Sequence, residues 1–469
     1  MMRPGFQSAM NHLKRMTISI GWLGLVALLL PLTTSAATNT LTWDREKNLV
    51  SADVRDWDLI GLMESVAVQS GWHVFLEPDY SYKASVKFQN LPPGEALRRL
   101  LGSMNFAMMP QTNGPQRLYV FRTAMKNATQ EVRRAGERVA PKPRRVPNEL
   151  IVRLKPGTDA EALAKSLGAK IVGVIPELNA YRFQFENEEA TEAARQKLEA
   201  NPEVMSVEYN YYMDQPFTPQ SLGGMAAPET KLKLDPPKTD DCKVLVGFVD
   251  TTLQQLDPKL EAFVKERISV TGSTSGSTTP THQTAMVNAF LQALQASGQT
   301  STSARILSVD VFGSDPSANS FNVALGIQKA VNSGATAINL SLGGYQDVAV
   351  LRDVVQQAAA LGIPLFAAVG NDGSNTPFYP AAYPGVVSVT ALSRAGQIAT
   401  YANTGTQADA AAPGAVIFSY NGLVYGSQGT SVSSAVAAGM AAGLADSTCA
   451  PWSKVIPAVE KTLAVPANR

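Results

Sequence analysis

Residue types that together could activate a hydroxyl are spread across the C-terminal half of the chain. Ser431 sits in Gly429-Thr430-Ser431-Val432-Ser433-Ser434-Ala435, a turn that runs into a helix of alanine, valine and glycine. A serine in a first helical turn has its oxygen, and any oxyanion formed beside it, facing unpaired backbone N–H groups and the positive end of the helix dipole. The same position also suits a plain capping serine on a buried helix. A serine hydroxyl is a poor nucleophile at neutral pH, so it needs a base, and an imidazole base needs a carboxylate to fix its tautomer. The chain has three histidines, His12, His73 and His282. His12 lies in a leader-like segment and His73 in a strand pattern where it reads as packing, which leaves His282 as the base for this half. Asp250 offers the carboxylate, at the C-terminal end of the apolar run Val244-Leu245-Val246-Gly247-Phe248-Val249.

The elements that must position these groups alternate as in a parallel α/β sheet. The run ending at Asp250 reads as a strand buried on both faces, and functional groups of such folds gather at that edge. A helix begins at Thr281-His282, with Met286, Val287, Phe290, Leu291 and Leu294 on one face. Further strands are expected at Ile306–Val311, Ala337–Leu342 and Pro364–Val369. The last delivers Gly370-Asn371-Asp372-Gly373, a sharp turn presenting Asn371, although Asn-Asp-Gly favours turns for its own sake.

Composition bounds the setting. At 469 residues there is room for roughly two to four domains. Forty Lys plus Arg against 39 Asp plus Glu give a net charge of +1, so no global field favours nucleic acid. Residues 1–37 have the pattern of an export signal: Arg3, Lys14 and Arg15, an apolar run from about Ile18 to Leu32, then Thr33-Thr34-Ser35-Ala36-Ala37. That run is shorter than the ~20 residues of a usual membrane span, although an uncleaved anchor is the alternative. Export places the chain in the periplasm or outside the cell, where Cys242 and Cys449 could form a disulfide or stay as buried thiols.

Upstream, residues 41–125 read as strand, helix, strand, strand, helix, strand, with Asp58 capping the first helix. Phe88-Gln89-Asn90-Leu91-Pro92-Pro93-Gly94-Glu95-Ala96-Leu97 resembles the short N-terminal domain of secretins and TonB-dependent receptors. That resemblance implies an interaction module and an envelope secretion component as partner. Residues 126–147 are rich in Lys, Arg and Pro and read as a flexible linker. Residues 148–213 give a βαββαβ pattern that resembles the propeptide inhibitor domain of subtilisin-like proteases. The resemblance implies an intramolecular inhibitor, with a processing site in the linker 214–241.

Residues 242–469 carry the most specific resemblance. Val249-Asp250-Thr251, Thr281-His282-Gln283-Thr284, Asn339-Leu340-Ser341-Leu342-Gly343-Gly344, Ala368-Val369-Gly370-Asn371-Asp372-Gly373, Tyr379-Pro380-Ala381-Ala382-Tyr383-Pro384, Ala412-Pro413-Gly414 and Gly429-Thr430-Ser431 occur in the order and rough spacing of subtilisin-like serine proteases. The resemblance implies a parallel-sheet α/β catalytic domain that cuts a peptide or protein substrate. Asp250, His282 and Ser431 would be its triad and Asn371 its oxyanion donor. Gly313 and Ser314 on one side, and Ser341, Leu342 and Gly343 on the other, would flank the substrate as extended strands. The sequence departs from the family where Gln283 replaces a glycine, Thr252 a glycine and Ala435 a proline. No cofactor is required by this chemistry. The family's calcium loops are not readable as a carboxylate cluster, which leaves calcium bound through carbonyls open. The rival reading is a fold that binds peptides or a partner without cutting them.

Overall fold

A computed structural model describes residues 39–45, 47–77, 82–109, 116–125, 130–132, 140–213, 218–222, 233–235, 242–272, 276–298, 302–393, 396–399 and 401–466. The leader-like segment 1–37 and much of 214–241 lie outside the described residues. The chain divides into two compact units, one ending at Val139 and the other comprising Ala140–Arg469.

The first unit holds β1 (Thr40–Asp44), β2 (Leu49–Asp58), α1 (Leu59–Ser70), β3 (His73–Leu76), β4 (Lys83–Leu91), α2 (Pro93–Leu101), β5 (Asn105–Met109), β6 (Arg117–Phe121) and β7 (Gln130–Val132). They form two sheets, β1-β2-β4 and β5-β6-β3-β7. Val50, Ala52 and Val54 alternate inward from β2 and meet Leu62, Met63 and Val66 of α1 and Leu97, Leu100 and Leu101 of α2. Asp58 accepts from Gly61 N at 2.9 Å, which starts α1. Three strands here, β1, β5 and β7, were not anticipated. β5 is Asn-Phe-Ala-Met-Met, whose side chains carry little strand preference. β7 lies inside the stretch read as a linker and pairs with β3.

The second unit opens with β8 (Arg145–Leu154), α3 (Ala160–Ser166), β9 (Lys170–Ile175), β10 (Ala180–Gln184), α4 (Glu188–Glu199) and β11 (Val204–Met213). Asp159 and Asn187 cap the two helices through Ala162 N and Ala190 N. Leu150, Val152, Phe183 and Leu198 are buried between sheet and helices. β8 begins before the expected edge of this unit, because Arg145 already pairs with Tyr211.

Beyond it come β12 (Gln220–Ser221), β13 (Leu245–Asp250), α5 (Pro258–Glu261), β14 (Val264–Ser269), α6 (His282–Ala296), β15 (Arg305–Asp310), β16 (Ala318–Asn319), α7 (Ser320–Asn332), β17 (Ala337–Leu340), α8 (Ala349–Ala360), β18 (Leu365–Ala368), β19 (Val386–Leu392), β20 (Ala410–Pro413), β21 (Ala415–Tyr420), β22 (Leu423–Gln428), α9 (Thr430–Thr448) and α10 (Trp452–Thr462). Seven of the strands make one sheet in the order β14-β15-β13-β17-β18-β19-β20, and its neighbours pair in parallel. One face buries α6, α9 and α10 and the other α7 and α8.

α6 is not amphipathic as its pattern suggested. Every residue from His282 to Leu291 is buried, because α9 packs along it and β13 lies beneath. Gly439 of α9 makes this approach close: a Cβ there would overlap the Phe290 carbonyl oxygen and lie 2.9 Å from Ala293 Cβ. Cys242 and Cys449 form a disulfide with Cα atoms 5.0 Å apart, tying the chain just before β13 to the end of α9.

Candidate active site

Parallel strands bring their C-terminal ends to one edge, so β13 and the turn after β18 deliver Asp250 and Asn371 to the same side. Asp250 is fully buried and His282 is 2% exposed. His282 Nδ1 stands 2.8 Å from Asp250 Oδ1 and 2.9 Å from Oδ2. Thr251 N donates to Asp250 Oδ1 at 2.6 Å. A carboxylate placed this way fixes Nδ1 as the protonated nitrogen and leaves Nε2 as the basic one.

α6 is held so that its first residue meets that carboxylate. Thr281 caps the helix, and its hydroxyl donates to Thr252 O at 2.7 Å. Gln283 is fully buried with both amide ends used. Its Nε2 donates to Phe248 O at 3.0 Å, its Oε1 accepts from Ser308 Oγ at 2.8 Å, and its N–H donates to Thr251 Oγ1 at 3.0 Å. Thus the departure from glycine at position 283 becomes a tether between the helix carrying His282 and the strands β13 and β15. Thr252, another departure, donates its hydroxyl to the buried Asp310. Burial pushes the Asp310 carboxyl above the ordinary range, with the nearby Asp250 adding to the effect.

Ser431 lies in the first turn of α9 and is 4% exposed. Its hydroxyl donates to the Ser341 carbonyl at 3.0 Å and not to His282. Ser341 Oγ donates back to Ser431 O at 2.9 Å, and a buried chain of hydrogen bonds continues through Asn339 to Ser434. Asn371 is oriented by Thr430, whose N–H and hydroxyl both donate to Asn371 Oδ1, at 2.8 and 3.0 Å. With its oxygen taken, the amide has Nδ2 as its remaining polar end. The roles of Gln283, Ser308, Asn339, Ser434 and Thr430 were not read from sequence. Only the departure at 283 marked one of them out.

The segments expected to flank a substrate are placed differently from one another. Ser341, Leu342 and Gly343 follow β17 directly and run past Ser431. Gly313 and Ser314 do not form an edge strand. Asp310 Oδ1 accepts from Phe312 N and Gly313 N at 3.0 and 2.8 Å, which curls that segment into a turn with Gly313 at φ +62°. The edge strand is instead β16. Tyr212 and Met213, at the end of β11, pair antiparallel with Asn319 and Ala318, and a Cβ on Gly344 would lie 3.3 Å from Met213 Sδ. Farther along, β12 pairs antiparallel with β22, the strand that leads into Ser431.

The βαββαβ subdomain docks by packing Ile151, Ile175, Leu178, Ala180 and Met213 against buried apolar side chains of α7 and α8, and by polar contacts on two helix N-termini. The Glu208 carboxylate accepts from Ala349 N and Val350 N of α8 at 2.8 and 2.9 Å. Asn210 Oδ1 accepts from Ser320 Oγ at 2.9 Å and Phe321 N at 3.2 Å at the start of α7. Arg153 pairs with Asp353 of α8. Among the described residues, no group of three or more His, Cys, Asp or Glu side chains is arranged to hold a metal. Nor is any helix among them long and apolar enough to cross a membrane.

Comparison with known proteins agrees with this architecture. Residues 242–460 match the subtilase family model. A thermophilic serine proteinase from Bacillus sp. (strain AK1) is 30% identical over 315 residues, which cover 64% of this chain and 78% of that protein. The chain belongs to the subtilase family of serine proteases. Residues 134–210 of this subtilase match the fervidolysin N-terminal prodomain, so the docked βαββαβ subdomain is a prodomain. Subtilisin amylosacchariticus, from Bacillus subtilis subsp. amylosacchariticus, is 35% identical over 173 residues, and the match spans 36% of this chain and 45% of that protein. In fold the subtilase is similar to fervidolysin from Fervidobacterium pennivorans, with a TM-score of 0.51 at 17% identity over 66% of this chain and 56% of that one.

Proposed function

We propose that this subtilase is an exported serine endopeptidase that cuts peptide bonds with Ser431, His282, Asp250 and Asn371 and processes itself. The observation that carries the reading is the buried Asp250–His282 hydrogen bond beside the first turn of α9. In the reaction, the Ser431 hydroxyl leaves the Ser341 carbonyl and gives its proton to His282 Nε2 as its oxygen adds to the substrate carbonyl carbon. The vacated Ser341 carbonyl then accepts an N–H from the extended substrate. The oxyanion takes hydrogen bonds from Asn371 Nδ2 and the Ser431 N–H, and His282 returns the proton to the departing amine. Water, deprotonated by the same imidazole, then hydrolyses the acyl-enzyme. Each step is assigned to a protein group, so the mechanism calls for no cofactor; calcium held by carbonyls would be structural.

The prodomain acts as an intramolecular inhibitor, its tail seated against β16 until the chain is cut between Met213 and Asp241. The first unit, through its resemblance to the short domain of secretins and TonB-dependent receptors, serves as an envelope contact. With the signal-like segment 1–37, this favours a periplasmic or secreted location.

The test compares full-length protein with Ser431→Ala by intact mass and by labelling with a fluorophosphonate. Shortening and labelling of the wild type alone support the reading. If neither protein is cut or labelled, even after the prodomain is removed, a peptide-binding role without cleavage takes its place. The hydrogen bond from Ser431 to Ser341 and not to His282 is the feature that favours that second reading.

A further inference from the structure

Two glycines flank the reacting centre. Gly343 follows two residues after Ser341, whose carbonyl holds the Ser431 hydroxyl. Gly370 immediately precedes Asn371 and has φ +97°, a conformation open mainly to glycine. Glycines so placed leave room for a side chain from elsewhere to approach.

The room is occupied by the protein itself. The Phe378 ring is 6% exposed and touches both segments. A Cβ built on Gly343 would overlap the ring, with Cδ1 at 2.8 Å, and would lie 2.6 Å from the Tyr379 carbonyl oxygen; one built on Gly370 would overlap the Asn403 amide and lie 3.1 Å from Phe378 Cγ. Tyr345 packs edge-on against this ring at 5.1 Å. It is anchored in turn: its hydroxyl donates to Asp372 Oδ2 at 2.6 Å and accepts from Asn403 Nδ2 at 2.9 Å. Burial pushes the Tyr345 phenol well above its ordinary range, so it remains a donor. The ring is therefore braced on three sides by structure that also forms the site.

A peptide under attack has its carbonyl carbon at Ser431 Oγ and its carbonyl oxygen toward Asn371. Its backbone edges are taken by main-chain hydrogen bonds along Ser341–Gly343, and side chains leave an extended strand perpendicular to those bonds. The side chain of the residue supplying the carbonyl must then enter between Gly343 and Gly370. We infer that Phe378 is a specificity-determining residue that occupies this space and restricts the acyl-side residue of the cut bond to Gly, Ala or Ser. This assignment rests on the proposed endopeptidase reading.

The test uses the full-length chain after it has processed itself, with tetrapeptide p-nitroanilides that end in Ala or Phe and are otherwise identical. The wild type is expected to favour Ala over Phe by about tenfold or more in kcat/KM, the range in which pocket size discriminates. Phe378→Gly is expected to shift that ratio toward Phe by a similar factor, and Phe378→Ala by less. Fluorophosphonate labelling of each variant establishes that its site is assembled, so a ratio is read only from folded enzyme. A wild type that prefers Phe, or a labelled Phe378→Gly with an unchanged ratio, overturns the assignment while leaving the endopeptidase reading intact. A wild type that neither labels nor cuts either peptide overturns both.

Discussion

The seam between α6 and α9 and the seam between the prodomain and helices α7 and α8 both bury apolar side chains, but the second carries many more polar contacts. The first is a largely buried helix pair brought close by Gly439, with α9 tied at its end to the chain before β13 by the Cys242–Cys449 disulfide. The second joins Ile151, Ile175, Leu178, Ala180 and Met213 to the buried apolar side chains of α7 and α8, and adds Glu208 and Asn210 at two helix N-termini, the Arg153–Asp353 pair and a two-residue strand pairing. Close packing of apolar surface is lost only when the fold is lost, because a void or a clash has nothing to compensate it. Hydrogen bonds and ion pairs at a docking surface can be exchanged for water at small net cost. The contrast teaches that the helix pair is held within one packed core, whereas the prodomain seam combines such a core with polar contacts that water can replace.

The sharpest way to break this comparison is to put the same substitution in both seams, in a Ser431→Ala background that lacks the proposed nucleophile. Gly439→Val drives a side chain into the Phe290 carbonyl and Ala293, and should cost about 3 kcal/mol or more in unfolding free energy, the upper end of overpacking effects. Gly173→Val presses instead on the Phe321 ring, where a Cβ would lie 2.7 Å from Cε1. It should loosen the prodomain, seen as faster protease nicking of residues 145–213, while the melting of the catalytic domain stays near that of the parent. Equal losses of melting temperature would remove the distinction between the seams.

A smaller effect is expected within the permanent region. Gln283→Leu keeps the size but strands the Ser308 hydroxyl and the Phe248 carbonyl, each cut off from water. Urea unfolding should show a loss of about 1–3 kcal/mol, the penalty for unpaired buried polar groups. Replacing Ser308 by Ala in the same chain should recover part of that loss, since one orphan is then gone. No recovery would mean that Gln283 acts by packing alone.

The smallest effect concerns the removable seam and pH. Burial holds the Glu208 carboxyl above its ordinary range in the docked state, outweighing the two N–H bonds from α8 and the nearby Arg352. A raised pKa in the docked state means that docking favours the protonated form. This contribution is complete below the ordinary glutamate value of about 4.3 and is lost as the pH rises through the docked value. The processed chain should therefore release its prodomain faster as the pH rises from about 4 to about 7. Glu208→Gln should flatten that trend, and a release profile identical to the parent's would assign the dependence to another group.

Much of the α/β architecture was legible because it follows from local pattern. A continuous apolar run such as Leu245–Val249 has few uses other than a doubly buried strand, and a strand so placed puts its last residue, Asp250, at the functional edge. Asp58 was legible as a cap for the same reason, since it acts on a residue three positions away. β5 and β7 were invisible because Met and Gln carry no strand signal and their pairing partners are distant in the chain. Gly313 and Ser314 were expected as an extended strand from the family resemblance alone. Nothing local revealed that Asp310 would capture the two N–H groups that curl the segment away.

The sequence by itself pointed to the chemistry: His282, the one histidine of the C-terminal half, together with Asp250 and Ser431 in the order of a known protease family. Side-chain chemistry and short-range periodicity are properties of the string, and they survive without coordinates. Only the tertiary structure decided that Ser431 rests on the Ser341 carbonyl, that Gln283 bridges three elements, and that Phe378 fills the gap between Gly343 and Gly370. Each of these depends on contact between segments far apart in the chain, and such contacts are set by how whole layers pack and by which buried polar groups find partners there.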